Sequence, residues 1–165
     1  MMLELLKKIK ARIDRVFIPF IKMCFYNTFC KAYIEFFGRK DKRVMKYRLS
    51  LCLIFKNEAP FLKEWIDYHT VVGVDHFYLY NNNSDDNYKE VLEPYIRQGI
   101  VTLIEWPYQN SQFKAYKHCY ENFRNETNWV SFLDADEFFV PKYELTIIDW
   151  LNRFAQYPAI VIHWT

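Results

Sequence analysis

Two carboxylates separated by a single residue, Asp134 and Asp136, directly follow the apolar run Trp129-Val130-Ser131-Phe132-Leu133 and precede Glu137-Phe138-Phe139. At the end of a strand, alternate residues point the same way. Both side chains can therefore aim into one crevice, where they repel each other unless a cation lies between them. Hard oxygen ligands select Mg²⁺ or Mn²⁺, ions that keep coordination positions open for substrate phosphates. An Asp-x-Asp triplet alone is equally a turn or a helix cap; its place after an apolar run is what points to chemistry. Two further polar groups follow apolar runs in the same way: Lys56-Asn57-Glu58 after residues 49–55, and residues 81–86 after residues 76–80. Only three glycines occur, Gly38, Gly73 and Gly99, which excludes a GxGxxG or Walker loop for cradling phosphates.

The elements that must position these groups alternate. Residues 49–55 form a nearly continuous apolar run, as in a parallel strand covered on both faces. Pro60 suits the first turn of a helix in which Phe61, Leu62, Trp65, Ile66 and His69 recur at helical spacing, with Gly73 as its stop. His69 reads as a packed or capping residue rather than a ligand. Strands are predicted at 76–80, 101–105 and 129–133. The turn-rich segment 81–86 would cap a helix running through Leu92, and a second helix is expected at 112–123. Short strands at Phe138–Val140 and Ala159–Ile162, with a helix near 145–154 between them, would complete the chain. Strand and helix in alternation imply right-handed crossovers and a mostly parallel α/β sheet. Ligands of such sheets sit beyond the carboxyl ends of the strands, where all three polar groups fall.

Charge is distributed unevenly. Residues 1–48 hold 13 Lys/Arg and 4 Asp/Glu (+9); the remaining 9 Lys/Arg and 16 Asp/Glu give −7. A basic arm thus precedes an acidic body that suits a cation. In the arm, Leu3, Leu6, Ile9, Ile13, Val16 and Phe17 recur at helical spacing among lysines and arginines, up to Pro19. Residues 1–46 are accordingly expected to form an amphipathic helical arm, either lying on an anionic membrane or packed with a solvated basic face. No uncharged apolar run approaches the length of a spanning helix, and no signal peptide is evident. The four cysteines, Cys24, Cys30, Cys52 and Cys119, form neither a CxxC pair nor a zinc spacing and read as reduced thiols of a cytoplasmic protein. No nucleic-acid reading module is present.

The run LIFKNEAPFLKEWIDYHTVVGVDHFYLYNNNSDD, followed by QFKAYKHCYENF and WVSFLDADEFF, resembles glycosyltransferases of the GT-A fold, nearest to family 92 and to bacterial relatives near family 2. The resemblance spans about Leu49 to Thr165. It implies a Rossmann-like GT-A domain over residues 47–165 and a nucleotide-sugar donor, in the first place a UDP-sugar. It also implies Mn²⁺ or Mg²⁺ at Asp134 and Asp136, with Asp136 the direct ligand and Asp134 on ribose or metal. Phe55, Asn57 and Glu58 would lie by the nucleotide, as would Asp85 and Asn81. Asn81 stands where many family 2 enzymes carry an aspartate for the uracil imide. Gln112, Tyr116 and His118 would face the donor from the helix before the acidic strand. Transfer would be metal-assisted and inverting, to a glycan or lipid-linked acceptor at the cytosolic membrane face. Such domains normally continue past a strand like 159–163 into the acceptor site and catalytic base, so the chain reads as a donor-binding half, and a non-catalytic donor-binding module is the alternative. A phosphatase of the haloacid dehalogenase type also uses Asp-x-Asp, but on its first strand.

Overall fold

A computed structural model describes residues 44–162 of the chain. Within the compact unit Arg43–Arg153 the elements run β1 (Tyr47–Phe55), α1 (Ala59–Val71), β2 (His76–Asn81), α2 (Tyr88–Arg97), β3 (Val101–Glu105), α3 (Gln112–Phe123), β4 (Thr127–Phe132) and α4 (Ile147–Asn152). All four strands are parallel, in the order β3-β2-β1-β4. This is a Rossmann-like α/β arrangement consistent with the GT-A fold. The amphipathic arm expected over residues 1–46 lies outside the described residues apart from its last three. Among the described residues no helix is long and apolar enough to cross a membrane.

Register decides which side chains face which helix. Cys52 is paired with Tyr78 and Phe132, and Ile54 with Tyr80. Tyr78 and Tyr80 pack with Cys52 against Ala115 and Cys119 of α3. The alternate residues face the other way, where Phe77 meets the Trp65 ring of α1 edge-on at 5.5 Å. Helices therefore cover both faces, which is why β1 and β2 are buried almost throughout. Cys52 and Cys119 are free, buried thiols.

Right-handed crossovers that step outwards from β1 to β2 to β3 place α1 and α2 on one face. Returning to the far side of β1 then carries α3 across the other. The strand order reverses between β1 and β4, and the crevice of an open α/β sheet opens at such a reversal. At the opposite end of the sheet, Arg48 grips Asp75 through Nη2–Oδ1 (2.6 Å), Nε–Oδ2 (3.1 Å) and its backbone N–H (2.7 Å). Burial pushes the Asp75 carboxyl up, but its bonds to Arg48 outweigh burial and hold it below the usual range.

Two expected strands are not there. Residues 138–140 are irregular: the N–H and carbonyl of Phe139, at their centre, bond to side chains of α1 instead of to a neighbouring strand. Residues 159–162, which fall outside the unit Arg43–Arg153, are irregular too, and Val161 and Ile162 are exposed. An apolar run becomes a strand only where a sheet edge accepts its backbone groups. The helix expected near 145–154 is confined to α4, started by Thr146, whose Oγ1 accepts from the Asp149 N–H. The helix expected to follow residue 86 begins at Tyr88, whose N–H donates to Asp86 Oδ1 at 3.4 Å. The shorter bond of Asp86 goes to the other helix: its Oδ2 accepts the Ala59 N–H at 2.8 Å, so it also caps α1.

Candidate functional site

At the carboxyl ends of β1 and β4 lies a hollow of about 1030 Å³. It is lined from the β1 end by Phe55, Lys56 and Glu58, and from the β4 end by Asp134, Asp136 and Phe138. Both acidic side chains of the triplet are exposed and line this one space.

The acidic loop is held by α1. Leu133 extends the β4 ladder by one bond, its N–H donating to the Cys52 carbonyl at 3.3 Å. The chain then turns: the Glu137 N–H donates to the Asp134 carbonyl, and the Asp134 N–H to Glu137 Oε2, both at 3.1 Å. Three side chains within about one turn of α1 seize the next residues. Trp65 Nε1–H donates to the Glu137 carbonyl (2.9 Å), Tyr68 O–H donates to the Phe139 carbonyl (2.7 Å), and His69 Nε2 accepts the Phe139 N–H (3.3 Å). The other ring nitrogen of His69, Nδ1, lies 2.8 Å from the Trp65 carbonyl. The tautomer with its proton on Nδ1 satisfies both contacts. Burial pushes His69 down to about 4, so the ring is neutral at physiological pH, as an acceptor at Nε2 must be. His69 is thus a packed residue that ties the acidic loop to α1.

The Asp134 carboxylate is oriented from the opposite face. Gln112 Nε2 donates to its Oδ1 at 3.2 Å and to the Tyr116 hydroxyl at 2.9 Å; the Tyr116 hydroxyl in turn donates to Oδ1 at 3.4 Å. Burial and the nearby Asp134 charge push Tyr116 up to about 12, so it stays a donor. Gln112 lines the hollow, and Tyr116 stands behind it.

The other expected contacts serve the loops. Asn57 lies at φ +59°, a left-handed conformation that Asn tolerates. Its N–H donates to Ser84 Oγ, and its Oδ1 accepts the Asp85 N–H, both at 2.9 Å. Asn81 is only 3% exposed. Its Nδ2 donates to Tyr88 (2.8 Å) and Glu105 (2.6 Å), and its Oδ1 accepts the Ser84 N–H (2.9 Å). Asn57, Asn81 and Asp85 therefore clasp the β1–α1 and β2–α2 loops together, and none of the three lines the hollow. His118 faces the core side of α3, with Nδ1 2.9 Å from the Tyr80 hydroxyl and its ring 5.1 Å from Trp106, also away from the hollow.

Charge completes the picture. The hollow is lined by one cation, Lys56, and four carboxylates, Glu58, Glu64, Asp134 and Asp136. A diphosphate entering it meets net negative charge unless a divalent cation accompanies it. Among the described residues no three His, Cys, Asp or Glu side chains converge to enclose a metal. Two hard carboxylates beside open space fit an ion that takes its remaining ligands from substrate and water.

Residues 47–165 match glycosyltransferase family 92. The chain belongs to that family. It is 38% identical over 102 residues to a family 92 protein of Arabidopsis thaliana, covering 61% of this chain and 18% of that protein. A family 92 protein of rice (Oryza sativa subsp. japonica) is 36% identical over 122 residues, covering 73% of this chain and 21% of its own length. A galactan β-1,4-galactosyltransferase of Arabidopsis thaliana is 30% identical over 134 residues, 73% of this chain and 27% of its own length. The chain thus spans about a fifth to a quarter of the length of these relatives.

Sequence reasoning missed several residues around the hollow of this family 92 chain. Asn82 and Lys56, which the sequence places in the strand-end polar groups without singling them out beside Asn81 and Asn57, both line it. Phe61 belongs to the core stripe by its spacing, yet it is 56% exposed and lines the hollow. The signal was available: Leu62, Trp65, Ile66 and His69 already fill positions i, i+3, i+4 and i+7, which leaves Phe61 and Glu64 at the edge of the buried face.

Proposed function

We propose that this chain carries the donor site of a metal-dependent glycosyltransferase, which moves a sugar from a nucleotide-sugar, in the first place a UDP-sugar, to a glycan or lipid-linked acceptor. The observation that carries this reading is the pair Asp134 and Asp136 lining one hollow at the β1–β4 reversal, each loop end fixed by side chains of a different helix. Asp136 and Asp134 would hold Mn²⁺ or Mg²⁺. A bound ion supplies Lewis-acid stabilisation of the departing diphosphate. Gln112 and Tyr116 hold one Asp134 oxygen in place, leaving the other free for ribose or metal. Glu58 and Phe55 border the nucleotide, and Lys56 offers the one positive charge lining the hollow. Asn57, Asn81 and Asp85 act on the donor by fixing the loops that carry Lys56, Glu58 and Asn82.

The relatives named as β-1,4-galactosyltransferases, one from Arabidopsis thaliana and one from Caenorhabditis elegans, support galactosyl as the transferred group. From an α-linked UDP-galactose a β-1,4 product requires inversion. The basic arm supports a position at the cytosolic face of an anionic membrane, beside a lipid-linked acceptor. The chemistry is tested by incubating the full chain with UDP-galactose and Mn²⁺, with and without β-1,4-galacto-oligosaccharide. UDP release that needs Mn²⁺ and disappears in Asp134→Asn is expected. UDP release that survives chelation and the substitution contradicts the assignment of the pair. Tight UDP binding without release makes the chain a donor-binding module.

A further inference from the structure

The hollow is not uniform, and its α1 side has a chemistry of its own. We infer that Phe61, Glu64 and Phe138 form a subsite for an uncharged carbohydrate chain, the acceptor of the transfer; this rests on the donor reading above only in the role it gives that chain. Phe61 and Glu64 stand three residues apart on α1 and so share a face, and both line the hollow. Phe138 faces the same space, two residues after Asp136.

The Phe138 ring is held rigidly. It stacks on His69 with centroids 5.5 Å apart and planes 10° apart, and meets Tyr68 edge-on at 5.2 Å. The residues on either side of it are fixed by the Trp65, Tyr68 and His69 hydrogen bonds. Held in this way, the ring still leaves 41% of the residue exposed, and Phe61 leaves 56%. Each forgoes part of the stabilisation that full burial of a phenylalanine contributes. Both rings line one hollow that also holds polar groups, so an entering ligand meets apolar ring surface beside them.

Their occupant follows from charge and shape. The C–H face of a pyranose lies flat on an aromatic ring, and its hydroxyls donate to a carboxylate such as Glu64. Among Phe61, Glu64 and Phe138 there is no cation to hold a phosphate, and the Glu64 carboxylate opposes one; the one cation lining the hollow, Lys56, lies on the loop before α1. Room is sufficient as well. About 1030 Å³ slightly exceeds the range of about 300–1,000 Å³ for sites that take a single small ligand. A sugar on Phe138 would lie directly beside the Asp134–Asp136 loop, where a donor's anomeric carbon is expected.

The test is titration of the full chain with β-1,4-galactotetraose, with and without UDP and Mn²⁺, for the unaltered protein, Phe61→Ala and Glu64→Gln. Both residues are exposed, so the variants should keep the parent melting temperature. The expected result is about a tenfold loss of oligosaccharide affinity in each variant with UDP affinity unchanged. Equal oligosaccharide affinity in all three proteins, no oligosaccharide binding by the unaltered chain, or a parallel loss of UDP affinity overturns the subsite. Oligosaccharide binding that depends on Phe61 in a chain that fails to bind UDP keeps the subsite and overturns the donor reading instead.

Discussion

Lowering the pH from 7 to 5 should remove about 4 kcal/mol of folding stability, and the reason is two buried imidazoles. His69 and His76 are almost fully enclosed, and burial pushes both down to about 4; the positive charge of Lys46 adds to the effect at His76. An unfolded histidine titrates near 6.5. Between these values the unfolded chain takes up protons that the folded chain refuses, so stability is greatest above pH 6.5 and falls as the pH drops towards 4. For one histidine with these two values the loss between pH 7 and pH 5 is about 2 kcal/mol, hence about 4 for the pair. Asp75, held low by Arg48, adds its own loss only at more acidic pH. Urea unfolding followed by tryptophan fluorescence at half-unit pH steps reads the slope directly. His69→Gln should halve it. An unfolding free energy that is flat between pH 7 and 5, or a His69→Gln slope equal to that of the parent, would refute the claim that these rings are folded in neutral form.

Two further substitutions probe what holds the loops. Gly73 lies at φ +105°, and a Cβ there would sit 3.1 Å from the Thr146 Cβ, so Gly73→Ala should cost about 1–3 kcal/mol by thermal or urea unfolding. Asp86→Ala removes the carboxylate that caps α1 across from another loop, with an expected loss of about 1 kcal/mol in the same assay.

The parts of the fold legible in the sequence are those where one physical demand dominates. The apolar runs at 49–55 and 76–80 could only be strands covered on both faces, and the helix at 112–123 falls where its periodicity predicts. The position of the acidic pair was legible too: both carboxylates follow β4, as the apolar run before them predicts, and both line the hollow. What escaped is decided by partners far along the chain. Nothing near Phe138 says that Trp65, Tyr68 and His69, some seventy residues earlier, will take up the backbone of its neighbours and prevent a strand. Nor does residue type distinguish an Asn that faces a ligand from one that clasps two loops. Asn81 is engaged by Tyr88, Glu105 and Ser84, whereas Asn82 beside it lines the hollow. Phe61 belongs with these cases, because one step around a helix separates core from cleft.

Calorimetric titration of UDP into the full chain, with and without Mn²⁺ and again with Asp136→Ala, addresses the central claim most directly. UDP should bind only with Mn²⁺ present, and Asp136→Ala should abolish that binding while melting at the same temperature as the parent. UDP that binds equally well without the metal, or to the alanine variant, would show that the two carboxylates at the β4 end do not hold a cation for the donor.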